Sequence, residues 1–145
     1  MNIGLESVVA RAFKIEGMED HQKYFREKIK CKVIKGADYV TDHKIHSIDF
    51  LNIYIEGNDF RVIKGFEENL HLIKVIQLEY GIFNIQSKDL LKDFYNYLEE
   101  MGFIVGKIFS QHIDFIPYHF TMENFHGGNF LAINKRNKDI VNLYK

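Results

Sequence analysis

The chain contains very few of the residues that mark disulfide-rich or membrane-spanning proteins. Its 145 residues include one cysteine, one proline and no tryptophan. A lone cysteine, Cys31, rules out an internal disulfide, which excludes the small secreted domains that depend on such bonds. The sequence also shows neither a secretory signal nor an apolar run of about 20 residues, the length that a bilayer-spanning helix needs. We therefore expect a cytoplasmic protein without a membrane partner.

The charges are balanced, which argues against a nucleic-acid partner. Nineteen lysines and arginines accompany 20 acidic residues, for a formal net charge of −1. A protein that binds a phosphate backbone usually presents a basic face. The short basic cluster Lys135-Arg136-Asn137-Lys138 is more typical of a solvated end than of a binding site. With 46% hydrophobic residues, a chain of this length can build one domain with a substantial core.

Hydrophobic periodicity predicts alternating strands and helices along most of the chain. The first 30 residues are the least regular, with helix candidates at Leu5–Phe13 and His21–Lys30. The predicted strands are Cys31–Lys35, Ile48–Ile55, Ile73–Glu79, Phe103–Phe109 and Phe130–Asn134, and the predicted helices are Ala37–His43, one after Gly57 with an apolar stripe of Phe60, Ile63 and Phe66, and Leu90–Gly102. Such alternation is typical of an α/β fold with a mainly parallel sheet.

The helix from Leu90 to Gly102 has the clearest end signals. Ser87 is a suitable N-cap, Asp89 adds negative charge near the first turn, and Gly102 stands at the expected position after the last turn. Its apolar residues share one face: Leu90, Leu91, Phe94, Leu98 and Met101. We expect this face to lie on the sheet.

The most informative stretch runs from Ile48 to Gly65. An apolar strand ends in Glu56-Gly57 and leads directly into a helix. Near-continuous Ile, Leu and Phe suit a parallel strand covered on both faces, and Gly57 lets the backbone turn sharply. Glu56 is thereby delivered to the carboxyl edge of the sheet, where open α/β sheets bind their ligands. A second candidate, Glu79, ends the next strand at the same edge.

This stretch resembles the signature of the FkbM family of S-adenosylmethionine-dependent methyltransferases, in which a strand enters a Lys-Ile-Asp-Val-Glu-Gly-type turn and then a helix. Val75–Gly81 is similar to the family's next strand, Leu90–Gly102 to the following helix, and Gly128–Ile133 to the closing strand. Glu27–Val40 resembles the segment that precedes the signature. The resemblance implies a partial Rossmann-like class I methyltransferase sheet, mainly parallel, with an antiparallel C-terminal strand pair.

The chain departs from the family pattern in three places. Tyr54 stands where the family usually has Asp, and Asn52 where it usually has Lys. Upstream of Glu27 there is no glycine-rich turn of the Gly-x-Asn-x-Gly kind, with which the family holds the methionine end of its cofactor. We therefore expect the C-terminal part of a methyltransferase domain at residues 31–136, between a poorly defined segment 1–30 and a short polar tail 137–145.

The resemblance assigns the candidate site residues. Glu56 is the leading catalytic candidate, as a base or polar positioning group, with Glu79 and His119 as weaker partners. The implied cofactor is S-adenosylmethionine, with Tyr54, Glu56 and Gly57 as the binding residues. Two alternatives stay open: Glu56 can instead cap the following helix, and Glu79 can instead stabilise its loop.

A second pattern suggests, less specifically, a metal site. His119, Glu123 and His126 have a spacing that can bind a divalent cation when all three share one helical face. The surrounding Thr121, Asn124 and glycines favour a loop instead. We therefore predict no metal there, and a loop on the acceptor side of the site.

Two functions from different classes follow. The first is O-methylation of a sugar or other small-metabolite hydroxyl, by a truncated chain that is inactive alone and binds the cofactor weakly. The second is a non-catalytic remnant or interaction module that needs a partner chain. The expected partners are a small-molecule acceptor and either an upstream fragment or a second copy covering the exposed sheet edge.

Overall fold

The computed structural model describes residues 2–4, 10–11, 25–28, 30 and 32–143. The chain divides into two compact units, residues 1–34 and 35–145. No helix in the described residues is long and apolar enough to cross a membrane.

The first unit contains a three-stranded antiparallel sheet. Its strands are β1 (Asn2–Gly4), β2 (Ala10–Arg11) and β3 (Phe25–Lys28), in the order β2-β1-β3. The predicted helices Leu5–Phe13 and His21–Lys30 are therefore wrong at β2 and β3, and their other residues lie outside the described part or, at Lys30, outside regular structure. Pairing with β1 satisfies the backbone here, so tertiary contacts override local helix propensity.

The second unit alternates helices and strands around a five-stranded sheet. Its helices are α1 (Gly36–Asp42), α2 (Asp59–Lys64), α3 (Asn84–Ser87), α4 (Leu91–Glu100) and α5 (Lys138–Leu143), with 3-10 turns at Glu67–Leu72 and Phe120–Met122. Its strands are β4 (Ile48–Asn52), β5 (Ile73–Glu79), β6 (Phe103–Ile108), β7 (Ile113–Asp114) and β8 (Asn129–Asn134). The predicted strand at Cys31–Lys35 is wrong over 32–35, which have no regular structure, and Cys31 lies outside the described residues.

The strand order β4-β5-β8-β6-β7 supports the α/β class but corrects the predicted strand directions. The predicted parallel pairing of β4 with β5 is confirmed, as is the antiparallel pairing of β6 with β8. The expectation of a mainly parallel sheet is wrong, because β8 lies between β5 and β6 and runs opposite to both, and β7 is also antiparallel to β6. Only the β4–β5 pair is parallel among the described strands.

Strand β4 is less buried than its apolar sequence suggests. Phe50 is 52% exposed, whereas Ile73 and Ile76 on β5 are fully buried. In the described part of the chain β5 is the only strand that pairs with β4, so β4 forms an edge of the sheet. The prediction of burial on both faces therefore holds for β5 only in part and is wrong for β4.

The core is built by helices that follow the parallel strands. The predicted stripe of α2 is confirmed, since Phe60, Ile63 and Phe66 are all buried. The buried residues of α4 are Leu91, Phe94, Tyr95 and Leu98, whereas Leu90 is 44% exposed. Gly102 follows α4 with a φ of +87°, as the sequence predicts.

The start of α4 differs from the prediction. Ser87 is the last residue of α3, and Leu90 occupies the N-cap position of α4. The Leu90 N–H donates to the Asp93 carboxylate at 2.8 Å, so the first turn supplies its own acceptor. Asp89 precedes the helix and lies outside its first turn.

Candidate functional site

The turn after β4 has an unusual backbone that only a glycine at its second position permits. Glu56 has a φ of +52° and Gly57 a φ of +94°, both in the left-handed region. A Cβ atom at Gly57 would lie 2.7 Å from the Phe83 carbonyl oxygen. The left-handed conformation costs an ordinary residue about 1–2 kcal/mol, so the turn holds Glu56 in a strained state. Such strain is a frequent property of functional sites.

Asp59, the first residue of α2, is fully buried beside this turn. Its Oδ1 accepts a hydrogen bond from the Glu79 N–H at 3.3 Å, whereas Oδ2 has no hydrogen-bond partner among the described residues. Burial raises the pKa of the Asp59 carboxyl, although hydrogen bonds with the backbone of Glu79, Gly57 and Ile55 oppose that effect. Asp59 was not among the predicted site residues, although an acid three residues after Glu56 in a strand-to-helix turn is a signal for it.

Glu79, the last residue of β5, completes a cluster of three carboxylates. Partial burial raises its pKa, and the negative charges of Asp59 and Glu56 raise it further. The two parallel strands thus bring Glu56, Asp59 and Glu79 together at their carboxyl edge. We call these three residues the carboxylate cluster. Repulsion within it makes Glu79 a stronger proton acceptor than an ordinary glutamate.

The other residues assigned to cofactor binding differ in their settings. Tyr54 is 64% exposed and its neighbour Ile53 is buried, so the Tyr54 phenol lies on the surface next to the turn. Gly57 is packed against the Phe83 carbonyl, and its role is to permit the turn rather than to leave open space. The Asn58 side chain makes no capping hydrogen bond at the start of α2.

The loop between β7 and β8 covers the end of β5. The Tyr80 N–H donates to the Gly128 carbonyl at 3.0 Å, and a Cβ atom at Gly81 would lie 2.9 Å from the Gly127 Cα. The rings of Tyr80 and Phe125 are 5.3 Å apart. Because Tyr80 directly follows Glu79, this loop adjoins the edge that carries the carboxylate cluster. Its role on the acceptor side stays a prediction.

Glu123 in this loop binds protein groups rather than sharing a face with the two histidines. Its carboxylate accepts hydrogen bonds from the Leu91 N–H at 3.1 Å, the Lys92 N–H at 2.9 Å, and the hydroxyls of Tyr118, at 3.0 Å, and Tyr80. Burial alone would raise the pKa of Glu123, but these hydrogen bonds lower it overall. Glu123 therefore caps α4 and attaches the loop to it.

The two histidines of the pattern are exposed. His119 Nδ1 lies 2.8 Å from the Thr121 hydroxyl, and its ring packs on Phe120. The His126 N–H donates to Asn124. Within the described residues no group of three or more potential ligands is arranged to hold a metal ion. The structure thus brings together Glu56 and Glu79, and records His119 only in contacts within its own loop.

A comparison with protein families identifies this domain. The family model described as the methyltransferase FkbM domain matches residues 9–105, from before the turn to the middle of β6. The chain belongs to the FkbM methyltransferase family, which confirms the resemblance that its sequence shows. No curated protein and no solved structure matches the chain.

Proposed function

We propose that this protein transfers a methyl group from S-adenosylmethionine to a hydroxyl oxygen of a sugar or another small metabolite. Membership of the FkbM family supports methyl transfer. The observation that supports the proposal is the carboxylate cluster: Glu56, Asp59 and Glu79 interact electrostatically at the carboxyl ends of two parallel strands. Open α/β sheets bind their ligands at such ends. Carboxylates in such a position can orient a hydroxyl and take its proton.

The hydrogen-bond acceptors of the site fit the proposed cofactor. Carboxylates accept hydrogen bonds from ammonium and hydroxyl groups, and S-adenosylmethionine carries both, together with a positive charge. Glu56 would hold the ammonium end, with the exposed Tyr54 hydroxyl beside it. When bound, the cofactor supplies an activated methyl group. The fully buried Asp59, with one unpartnered oxygen, reinforces the negative field that favours a cation at this edge.

Glu79 is the group best suited to take the proton from the hydroxyl that receives the methyl group. Burial and the charges of Asp59 and Glu56 raise its pKa, which increases its strength as a base. By holding the cofactor, Glu56 would fix the direction of approach that in-line transfer to the hydroxyl oxygen requires. The proton is then released from Glu79 to solvent through its exposed side.

The proposal is tested by measuring cofactor binding and transfer separately. Calorimetry with S-adenosylmethionine measures binding, and a labelled methyl group measures transfer to a panel of sugars and small alcohols. We expect Glu56→Gln and Glu79→Gln each to lower the transfer rate by about 100-fold. His126→Ala, which changes an exposed side chain of the covering loop, should lower the rate far less.

The two assays also separate this function from the alternative. Binding without transfer to any hydroxyl would reject O-methylation of small molecules and leave another acceptor. Neither binding nor transfer in the folded protein, alone or with an upstream fragment supplied, would reject the proposal and favour a non-catalytic interaction module. An unchanged rate for Glu56→Gln would remove Glu56 from the chemistry.

A further inference from the structure

A cavity of about 690 Å³ lies at the opposite edge of the sheet from the carboxylate cluster. Its walls come from the 3-10 turn before β5, the end of α4 and the turn after β8. The lining residues with polar or charged side chains are Glu68, His71, Glu100, Asn134, Lys135 and Arg136. Strand β5 separates the two edges by seven residues, or about 20 Å. The cavity has the volume of a typical small-molecule site and belongs to no function discussed above.

The walls of this cavity are tied together by a buried asparagine. Asn134 is 3% exposed, and its Nδ2 donates to the carbonyls of His71, at 3.3 Å, and Ile73, at 3.2 Å. Its Oδ1 accepts from the Arg136 N–H at 3.1 Å. The Lys135 N–H donates to the Gly102 carbonyl at 2.9 Å, which joins the third wall. The cavity is therefore preformed, which reduces the ordering cost of binding.

The charged side chains on these walls have both signs and do not pair with each other. In the part of the chain that the structure describes, Lys135, Arg136, Glu68 and Glu100 form no ion pair. His71 Nδ1 lies 2.5 Å from the Glu68 carbonyl, which can only accept, so Nδ1 carries the proton. The other ring nitrogen, Nε2, is left as an acceptor, or as a donor when the ring is protonated.

We propose that this cavity binds a small zwitterionic metabolite that carries an anionic group, phosphate or carboxylate, and an amino group. Arg136 and Lys135 would hold the anion, since guanidinium and ammonium groups match its oxygens. Glu68 and Glu100 would accept from the amino group. A purely anionic ligand would be repelled by the glutamates, and a purely cationic one by Lys135 and Arg136. Walls with charges of both signs therefore select a molecule that carries both.

Three size-matched probes test the proposal without any use of methyl transfer. Glucosamine 6-phosphate carries both charges, glucose 6-phosphate only the anion, and glucosamine only the cation. Titration of each into ¹⁵N-labelled full-length protein, followed by amide NMR shifts, gives the affinity and the location. We expect glucosamine 6-phosphate to bind about tenfold more tightly than either other probe, with shifts centred on Gly102 and Arg136.

Variants separate the site from general electrostatics. Arg136→Ala should weaken binding of glucosamine 6-phosphate about tenfold, and Glu100→Gln should remove its advantage over glucose 6-phosphate. Lys138→Ala removes a positive charge two residues from Arg136 but outside the cavity, and should have no effect. Equal losses for Lys138→Ala and Arg136→Ala, equal affinities for the three probes, or no shifts at millimolar concentration would each overturn the proposal. A protein that lacks methyl transfer but shows this selectivity would still support it.

Discussion

The hydroxyl of Tyr80 donates a hydrogen bond to the carboxylate of Glu123, across 43 residues of sequence. Tyr80 follows the last residue of β5, and Glu123 lies in the loop that covers this end of the strand. Because the same carboxylate accepts from the first turn of α4, one side chain joins the strand end, the loop and the helix. The wall of the candidate site beside Glu79 therefore depends on Glu123.

We predict that Glu123→Gln lowers the free energy of unfolding by about 2 kcal/mol at pH 7. The amide presents an NH₂ group where four donors require an acceptor, so at least one donor is left unsatisfied. Urea unfolding measures the loss. Glu99→Gln is the control, since Glu99 is an exposed acid on α4, the helix that Glu123 caps. It should change the stability by less than about 0.5 kcal/mol.

The loss for Glu123→Gln should also depend on pH. Hydrogen bonds hold the pKa of Glu123 in the folded protein below its ordinary value of about 4.5. Its charged form therefore stabilises the fold above that value, and this stabilisation is lost as the pH falls through the folded-state pKa. The difference between the wild type and the variant should shrink below pH 4.5. A difference that stays constant down to pH 3 would contradict the role of the charge.

Replacing Glu56 with glycine should separate strain from chemistry. Glycine adopts a φ of +52° without the penalty that Glu56 bears, so Glu56→Gly should raise the stability by about 1 kcal/mol. The same substitution removes a carboxylate of the cluster and should abolish methyl transfer. Lys44→Gly, at an exposed position that also has a φ of +52°, should give a similar gain with normal transfer.

This pair of variants also tests the helix-cap alternative for Glu56. If the carboxylate serves mainly to stabilise the start of α2, Glu56→Gly should lower the melting temperature while Lys44→Gly raises it. Thermal unfolding of both variants beside the wild type distinguishes the two outcomes.

Glu79→Gln should stabilise the protein at neutral pH. Burial and the charges of Asp59 and Glu56 raise the pKa of Glu79 in the folded state. The neutral form of Glu79 is therefore favoured in the folded protein. Its contribution to stability is fully present below the unfolded-state pKa and is lost as the pH rises through the folded-state pKa. The melting temperature of the variant should exceed that of the wild type by about 3 °C at pH 7.5 and match it near pH 4.

Glu79→Gln should lower the rate of methyl transfer although it raises the stability. A base must be ionised, so wild-type transfer should increase with pH through the raised pKa, and Glu79→Gln should lose both the rate and this pH dependence. A variant that is more stable yet slower cannot owe its lower rate to misfolding. A normal rate in the more stable variant would assign Glu79 to the structure of the loop alone.

Tyr54→Asp should be tolerated by the fold. Tyr54 is 64% exposed, so the new carboxylate can remain hydrated, and we expect a stability change within about 0.5 kcal/mol. The substitution restores the acid that the family usually has at this position, and we expect faster methyl transfer. Tyr39→Asp, an exposed tyrosine on α1, is the control and should leave the rate unchanged. A slower Tyr54→Asp enzyme would indicate that the phenol itself contacts a ligand.

The sequence predicts the parts of this site that depend on neighbouring residues. A strand that ends at Glu56-Gly57 and leads into a helix is encoded by local periodicity and by a glycine that accepts a positive φ. The apolar stripe of Phe60, Ile63 and Phe66 and the glycine after α4 are equally local signals. The adjacency of β4 and β5 follows from the rule that strands joined by a helical crossover pair in parallel.

Other features depend on contacts between distant residues, which local patterns do not encode. Ser87 is a residue type that often caps helices. The backbone N–H groups at the start of α4 instead donate to Asp93 and to Glu123, which lies about 30 residues away. Glu123 has the spacing of a metal ligand, yet its oxygens are occupied by hydroxyl and backbone donors. In both cases the choice between partners of similar chemistry is made by tertiary packing.

By itself the sequence determined the family, the acidic turn and the helix and strand that flank it, because each arises from interactions within a few residues. Only the tertiary structure decided that β8 lies between β5 and β6, that Asp59 joins Glu56 and Glu79, and that Glu123 ties the covering loop to α4. Strand order and the grouping of these carboxylates are set by the packing of the whole sheet, where small contact energies summed over many residues select one arrangement.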